Sequence, residues 1–327
     1  MSKILVTGAD GFIGSHLVET LVKNKNYQVT ALAQYNSFNN WGWLEKFYKQ
    51  YPNLKIVTGD IRDKNFCEDI SKNMEKVFNL AALIAIPYSK IAFDSYLQTN
   101  VIGTFNILNA ARKNKLKKVI HLSTSEVYGT QKYLPIDEKH PLDPKSPYAA
   151  TKIAADAIAK SFFNSYDSKI IIARPFNTYG PRQSARAIIP TIISQILNKK
   201  KIIKLGNLEP LRDFTYVEDT CDALIKLSKS KINGEVVNIG CNKSITIKDL
   251  FNLIRKLMNS NIKLNIDTQR KRKKNFEVHH LKCDNKKLIK VTNFKPKHNL
   301  NIGLKKTIDW FKSKENIKFY KSEIYNI

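Results

Sequence analysis

Long apolar runs are missing from this chain: none of its 327 residues belongs to a stretch near the roughly 20 apolar positions that span a bilayer. A helical membrane protein and a membrane partner are therefore not expected. Cysteine is scarce as well. Cys67, Cys221, Cys241 and Cys283 are scattered and form no CxxC pair. That argues against a disulfide framework or a metal site and fits reduced thiols. The opening "MSKILVTGAD" enters a strand at once, with no apolar leader, so a cytoplasmic protein is expected. Internal repeats and low-complexity linkers are absent too.

Acidic residues are few: 28 Asp and Glu stand against 55 Lys and Arg, a formal net charge of +27. Such an excess suits nucleic acid, a membrane surface or phosphate-bearing metabolites. Most of the lysines are scattered rather than striped, and Lys, Asn and Ile are abundant throughout, so the excess reads as compositional bias and no nucleic-acid partner is expected. The exception is the dense "RKRKK" at 270–274.

What is present is a core. Hydrophobic residues make up 43% of the chain, too many for disorder. "KILVTG", "YQVTALA", "LKIVTGD", "KVFNLAA", "KKVIHLST" and "SKIIIAR" read as strands, and their continuous Val, Ile and Leu suits burial on both faces. Between them, "FIGSHLVETLVKN", "TNVIGTFNILNAARKN" and "YAATKIAADAIAKSFFN" carry helical spacing. The alternation predicts an α/β fold of Rossmann type, a doubly wound parallel sheet. After Arg174 the pattern breaks into loops and short helices near 188–198, 247–258 and 301–313, read as a smaller C-terminal α/β lobe for substrate. The expected division is 1–176 plus 214–242 for the dinucleotide-binding domain and 177–213 plus 243–327 for the second lobe.

"VTGADGFIGSHL" places Gly8, Gly11 and Gly14 between the first strand and first helix. Glycine there lets backbone approach a pyrophosphate, whose charge the helix N-terminus favours. The second strand should then end in an acid that takes the adenosine ribose hydroxyls of NAD. Between Glu19 and Glu45 there is none. Gln34, Asn36 and Ser37 are neutral substitutes: Gln34 suits a ribose, Asn36 and Ser37 a 2′-phosphate, so NAD and NADP both stay open. Asp60 and Ile61, after the third strand, suit the adenine edge.

Tyr148 and Lys152 in "SPYAATK" are four apart on a helix, hence on one face. A free phenol, with a pKa of about 10, is a poor base near neutrality. A neighbouring ammonium and a cationic nicotinamide are expected to lower that value. Tyr148 could then accept a sugar hydroxyl proton. "STSE" on the preceding strand adds Thr124, Ser125 and Glu126.

These motifs, with "GDIRD", "NLAA", "ARPFNTYGPRQ" and "RDFTYVED", resemble the extended short-chain dehydrogenases/reductases, in the nucleotide-sugar epimerase and dehydratase group. "STSEVYG" is similar to the 4,6-dehydratases, whereas 4-epimerases lack the acid. Where dTDP-glucose dehydratases usually carry Asp-Glu after the Thr, this chain has Ser125-Glu126, as GDP-mannose dehydratases do. "QYNSFN", "ALIAIPYS", "PIDEKHPL" and "GPRQSARAIIPTII" resemble the bacterial dehydratases of legionaminic acid synthesis, which act on nucleotide-linked N-acetylglucosamine.

The resemblance implies transient oxidation at C4, which acidifies C5–H; loss of water across C5 and C6 with Glu126 as base and acid; and hydride return to C6. Thr124 would hold the C4 oxygen beside Tyr148. It implies NAD as cofactor, with NADP open. The cofactor would be held by Gly8, Gly11, Phe12, Ile13, Gly14, Gln34, Asn36, Ser37, Asp60, Ile61, Leu80, Ala81, Ala82, Asn100, Ser123, Tyr148, Lys152 and Pro175. The partner is a nucleotide-diphosphate sugar, UDP- or GDP-linked. Ser125, Asn177, Arg186, Arg212, Arg270 or Arg272, and Glu277 would hold it, the arginines because guanidinium pairs bidentately with phosphate. Arg182 is a further candidate. Helices 94–113 and 148–163 would form a homodimer. Two alternatives stay open: a 4-epimerase or reductase on the same scaffold, and a non-catalytic cofactor-sensing or nucleic-acid-binding protein.

Overall fold

The computed structural model of the chain describes residues 1–267 and 277–321. In β1 (Ser2–Thr7) every residue from Ile4 to Thr7 is buried, and in β6 (Ile170–Pro175) all six are. Strands of that kind need cover on both sides, and they have it. Ile4 and Val6 pack with Leu17, Leu21, Leu224 and Leu227 of the helices Phe12–Val22 and Val217–Lys229. Leu5, one residue out of phase, packs with Ile107, Leu108, Ala159 and Phe162 of the helices Gly103–Lys113 and Pro147–Tyr166.

The remaining strands in the first two-thirds of the chain are β2 (Tyr27–Gln34), β3 (Leu54–Gly59), β4 (Lys76–Asn79) and β5 (Lys118–Leu122). After β6 come β7 (Asn177–Tyr179), β8 (Ile202–Leu205), β9 (Leu211–Tyr216), β10 (Glu235–Ile239), β11 (Ser244–Thr246) and β12 (Lys263–Ile266). One seven-stranded sheet runs β10-β6-β5-β4-β1-β2-β3, parallel throughout. The fold is the doubly wound Rossmann type, as the alternation predicted. Strand β10, which pairs Glu235–Ile239 with Ile171–Pro175, is the member absent from the sequence reading. Strand order reverses between β1 and β4, and open α/β sheets bind ligands outside the strand ends at such a point.

The second lobe holds a three-stranded sheet, β11-β9-β7, and a two-stranded one, β12-β8. Strand β9 crosses position 213/214, where the sequence division was drawn. Asp213, fully buried there, accepts backbone N–H bonds from Cys241 at 3.0 Å and Cys283 at 3.1 Å. One side chain thus ties β9 to the loops after β10 and before the helix Lys286–Thr292.

Candidate active site

At the switch point, Thr7 donates to Asn79 Oδ1 at 2.8 Å and accepts the Leu80 and Ala81 N–H groups, each at 3.1 Å. This locks the ends of β1 and β4 together. The chain then turns at Gly8, in the left-handed region at φ 62°, where a Cβ would stand 2.8 Å from Ala81 backbone. A Cβ at Gly14 would lie 2.1 Å from the Gly8 carbonyl oxygen. Gly11 differs: its nearest neighbour to an added Cβ is 3.4 Å away, and it is exposed. Gly8 and Gly14 are therefore glycine for packing, and Gly11 leaves open room at the N-terminus of the helix Phe12–Val22. Phe12 and Ile13 open that helix, Leu80 and Ala81 backbone lies against Gly8, and these four and Ala82 are half-buried. A bare backbone cradle at a helix N-terminus fits a dinucleotide pyrophosphate.

Asn106 donates to the carbonyls of Ile61 and Arg62 at 3.0 and 2.9 Å, which fixes the turn after β3, with Ile61 buried. Asp60 is held by a fork from Arg62, at 2.6 and 2.9 Å. Asn100 is fully buried within the π-helical segment Leu97–Ile102. It exchanges bonds with the Leu83 backbone at 2.8 and 3.0 Å and donates to Thr151 at 3.1 Å. It thereby joins the β4 loop to the helix of Tyr148; π-helical turns often mark functional sites. At the end of β2, Gln34 and Ser37 are exposed. The Asn36 side chain bonds its own turn, donating to Gln34 and Asn40 carbonyls and accepting from Phe38 and Asn40 N–H groups.

The reacting end lies across β5. Thr124 caps the 3₁₀ turn Ser125–Tyr128 by accepting the Glu126 N–H at 3.2 Å. The Tyr148 phenol lies close enough for the Thr124 side chain to act on it. Ser146 caps the helix Pro147–Tyr166 through the Ala149 N–H, with Pro147 in its first turn, so Tyr148 sits in that turn facing Thr124. Burial carries the phenol well above its ordinary pKa; the nearby Thr124 hydroxyl offsets part of this, and the Glu126 charge adds to the rise. The lowering expected from Lys152 does not appear, and the net shift is upward. Lys152, buried, gives its Nζ to the Leu122 carbonyl at 2.6 Å, and burial brings it down to about 8. Ser125 is buried beside Glu126, which is partly exposed.

A third residue on that helix face was not singled out in the sequence. Asp156, four after Lys152, accepts from Ser123 at 2.7 Å and from Arg174 at 2.9 and 3.0 Å. His121 Nε2 stands 3.4 Å from its other oxygen. Burial pushes the Asp156 carboxyl up, but the nearby His121 and the charges of Arg174 and Lys152 outweigh it and hold it low. The carboxylate in turn supports the Lys152 charge. Spacing of four from Lys152 was the available signal. Arg174 extends the network through the Tyr128 hydroxyl at 3.1 Å to Asn238 on β10 at 2.7 Å. Pro175 ends β6, buried and in register with Ile239.

Among the expected substrate residues, Arg212 and Glu277 come together, both buried, at 3.4 Å. The segment after Glu277 is clamped against β9 by the Leu211–His279 and Leu281–Leu211 backbone bonds. Asn177 Oδ1 is buried with no hydrogen-bond partner. Arg186 is exposed, near enough to Tyr96 for its charge to act there; the Tyr96 ring meets Tyr148 edge-on at 6.4 Å. Arg182 turns away, pairing with Glu19 at 2.6 Å on the glycine-loop helix. Arg270 and Arg272 lie outside the described residues.

A family model described as GDP-mannose 4,6 dehydratase matches residues 5–307. The dTDP-D-glucose 4,6-dehydratase of Homo sapiens is 30% identical over 328 residues, 98% of this chain and 92% of the relative. The structure of a UDP-N-acetylglucosamine 4-epimerase from Methanobrevibacter ruminantium superposes with TM-score 0.86 at 34% identity, covering 95% of this chain and 98% of that one. A dTDP-glucose 4,6-dehydratase from Streptomyces venezuelae, solved with NAD bound, gives TM-score 0.87 at 26% identity over 98% and 99%.

Proposed function

Since the chain belongs to the GDP-mannose 4,6-dehydratase family of extended short-chain dehydrogenases/reductases, we propose that it is a nucleotide-sugar 4,6-dehydratase acting on UDP- or GDP-linked N-acetylglucosamine. The coarser statement follows from membership: it is an enzyme of the nucleotide-sugar dehydratase, epimerase and decarboxylase group, and its cofactor is NAD. The observation that carries the finer reading is Glu126, a carboxylate on the turn capped by Thr124 and close enough to Tyr148 to act on its charge.

The backbone cradle at Gly8, Gly11 and Gly14 would hold the dinucleotide, which when bound supplies reversible hydride transfer with the sugar. Tyr148 takes the proton of the C4 hydroxyl, and Thr124 holds the same oxygen. Lys152 keeps a positive charge one helical turn from the phenol, which favours the phenolate. Glu126 removes the C5 proton made acidic by the neighbouring ketone and delivers a proton to the departing C6 hydroxyl, which leaves as water. Ser125 cannot share that load, so one carboxylate serves as base and then as acid. Asn177, Arg186, Arg212 and Glu277, with Arg270 or Arg272, would hold the nucleotide diphosphate. The product class, a 4-keto-6-deoxy-N-acetylhexosamine, suits nonulosonic acid synthesis, legionaminic acid included, and surface glycans. A cytoplasmic homodimer built on helices 94–113 and 148–163 completes the proposal.

A 4-epimerase is the second reading, favoured by the 34% identity to the N-acetylglucosamine 4-epimerase. Incubation with UDP- and GDP-N-acetylglucosamine separately, followed by mass analysis, distinguishes the two. A dehydratase yields a product lighter by one water from one of them. An unchanged mass with the C4 configuration inverted selects the epimerase, and no conversion of either sugar sinks both substrate proposals.

A further inference from the structure

The acid missing from the end of β2 is present in space, carried by the glycine-rich loop. Asp10 immediately precedes Gly11, and its Oδ2 accepts the backbone N–H of Gln34, the last residue of β2, at 3.2 Å. The loop that follows β2 closes on the same residue. Trp43 N–H donates to the Asp10 carbonyl at 3.2 Å, and a Cβ at Gly42 would stand 2.8 Å from that oxygen and 3.2 Å from the Asp10 Cβ. The carboxyl group is thus fixed between the cradle at Gly11 and the strand end where an adenosine ribose lies in folds of this type.

Other groups nearby are either neutral or already engaged. Asn36 is spent on its own turn, and Gln34 and Ser37 carry no charge. Glu45 accepts the Trp41 N–H at 2.8 Å, and Asp60 is forked by Arg62. Among the described residues no ion pair reaches Asp10. Burial pushes its carboxyl up, with the Gln34 N–H pulling the other way.

We propose that Asp10 reads the adenosine ribose, accepting hydrogen bonds from its 2′- and 3′-hydroxyls and excluding a 2′-phosphate, so that it makes the site selective for NAD over NADP. The inference rests on the NAD reading above and assigns its specificity to one residue. A 2′-phosphate would bring ~1.5 to 2 negative charges against a carboxylate held by backbone on both sides, which is in no ion pair among the described residues.

The test is equilibrium binding of NADH and NADPH to the full-length protein, followed by nucleotide fluorescence, with Asp10→Asn as the main variant. The amide keeps the size and an oxygen for the Gln34 N–H but lacks the charge. A hydrogen bond to a charged group is worth about 1.5–3 kcal/mol, or roughly 10- to 100-fold. Wild type should prefer NADH by at least that range, and Asp10→Asn should cut the preference roughly tenfold or more, mainly through tighter NADPH. If Asp10→Asn unfolds at a lower temperature than wild type, Asp10→Ser provides the same comparison. Variants as selective as wild type overturn the assignment alone. A wild type that binds neither nucleotide overturns the NAD reading and this inference with it.

Discussion

Glu126 and Lys152 are two charges held under opposite conditions, and each makes a separable prediction. Glu126 is partly exposed beside a buried phenol. Glu126→Gln keeps its size and cannot accept a proton, so oxidation at C4 should survive while elimination slows by roughly two to four orders of magnitude. Reduced cofactor should then build up, seen as near-ultraviolet absorbance, and little solvent deuterium should enter C5. Near wild-type output of 4-keto-6-deoxy sugar would make the carboxylate structural. Lys152 pays for burial: its folded pKa is about 8 against 10.5. Between those values the unfolded chain holds the proton more tightly, so this residue makes stability rise with pH across the window. Relative to Lys152→Met, wild type should gain on the order of 3 kcal/mol between pH 7 and 10.5 in paired urea melts. Parallel curves for the two proteins would show that the ammonium is solvated.

At the scale of elements, the loop from β1 to the helix Phe12–Val22 separates two uses of glycine. Gly14 is glycine because Gly8 backbone occupies the space of a Cβ, at 2.1 Å. Gly14→Ala should therefore cost roughly 1–3 kcal/mol of stability through overpacking. Gly11 has extended backbone at φ −79° and ψ −174°, which any residue adopts, and its added Cβ meets nothing closer than 3.4 Å. Gly11→Ala should keep the wild-type unfolding midpoint and lose nucleotide affinity, because its methyl enters the pyrophosphate space. Thermal melts alongside NADH titration read both; a Gly11→Ala protein that binds normally would place the pyrophosphate elsewhere. The loop after β2 depends on the second lobe in a comparable way. Trp43 meets Trp310 and Phe319 edge-on at 5.4 and 5.5 Å, and Lys46 donates to Asn316 at 2.9 Å. The surroundings of Asp10 thus lean on the last helices of the chain.

Across the whole molecule, Leu97, Ile102 and Phe105 are 37%, 43% and 40% exposed along one continuous helical stretch, on the face proposed to pair two copies. Ile102→Glu should halve the mass measured by light scattering, and a monomeric wild type would remove the dimer proposal. Much of the molecule was readable beforehand from local chemistry. Continuous Val, Ile and Leu marked six of the seven parallel strands, and glycine spacing placed the cradle. The four-residue step from Tyr148 to Lys152 put both on one helix face. Each of these depends on residues near one another in the chain, where period and backbone freedom are decided. Other features depended on burial and on partners far apart in sequence. Asp10 meets Gln34 across 24 residues, Arg212 meets Glu277 across 65, and Arg182 leaves its expected role for Glu19 across 163. The upward shift of Tyr148 belongs to the same class, because desolvation is set by everything packed around a group and not by its neighbours in the chain. The sequence by itself determined six of the seven strands of the main sheet and the residues proposed to carry the chemistry. Only the tertiary structure decided how deeply each one is buried and which acid meets the end of β2, because both depend on partners far apart in the chain.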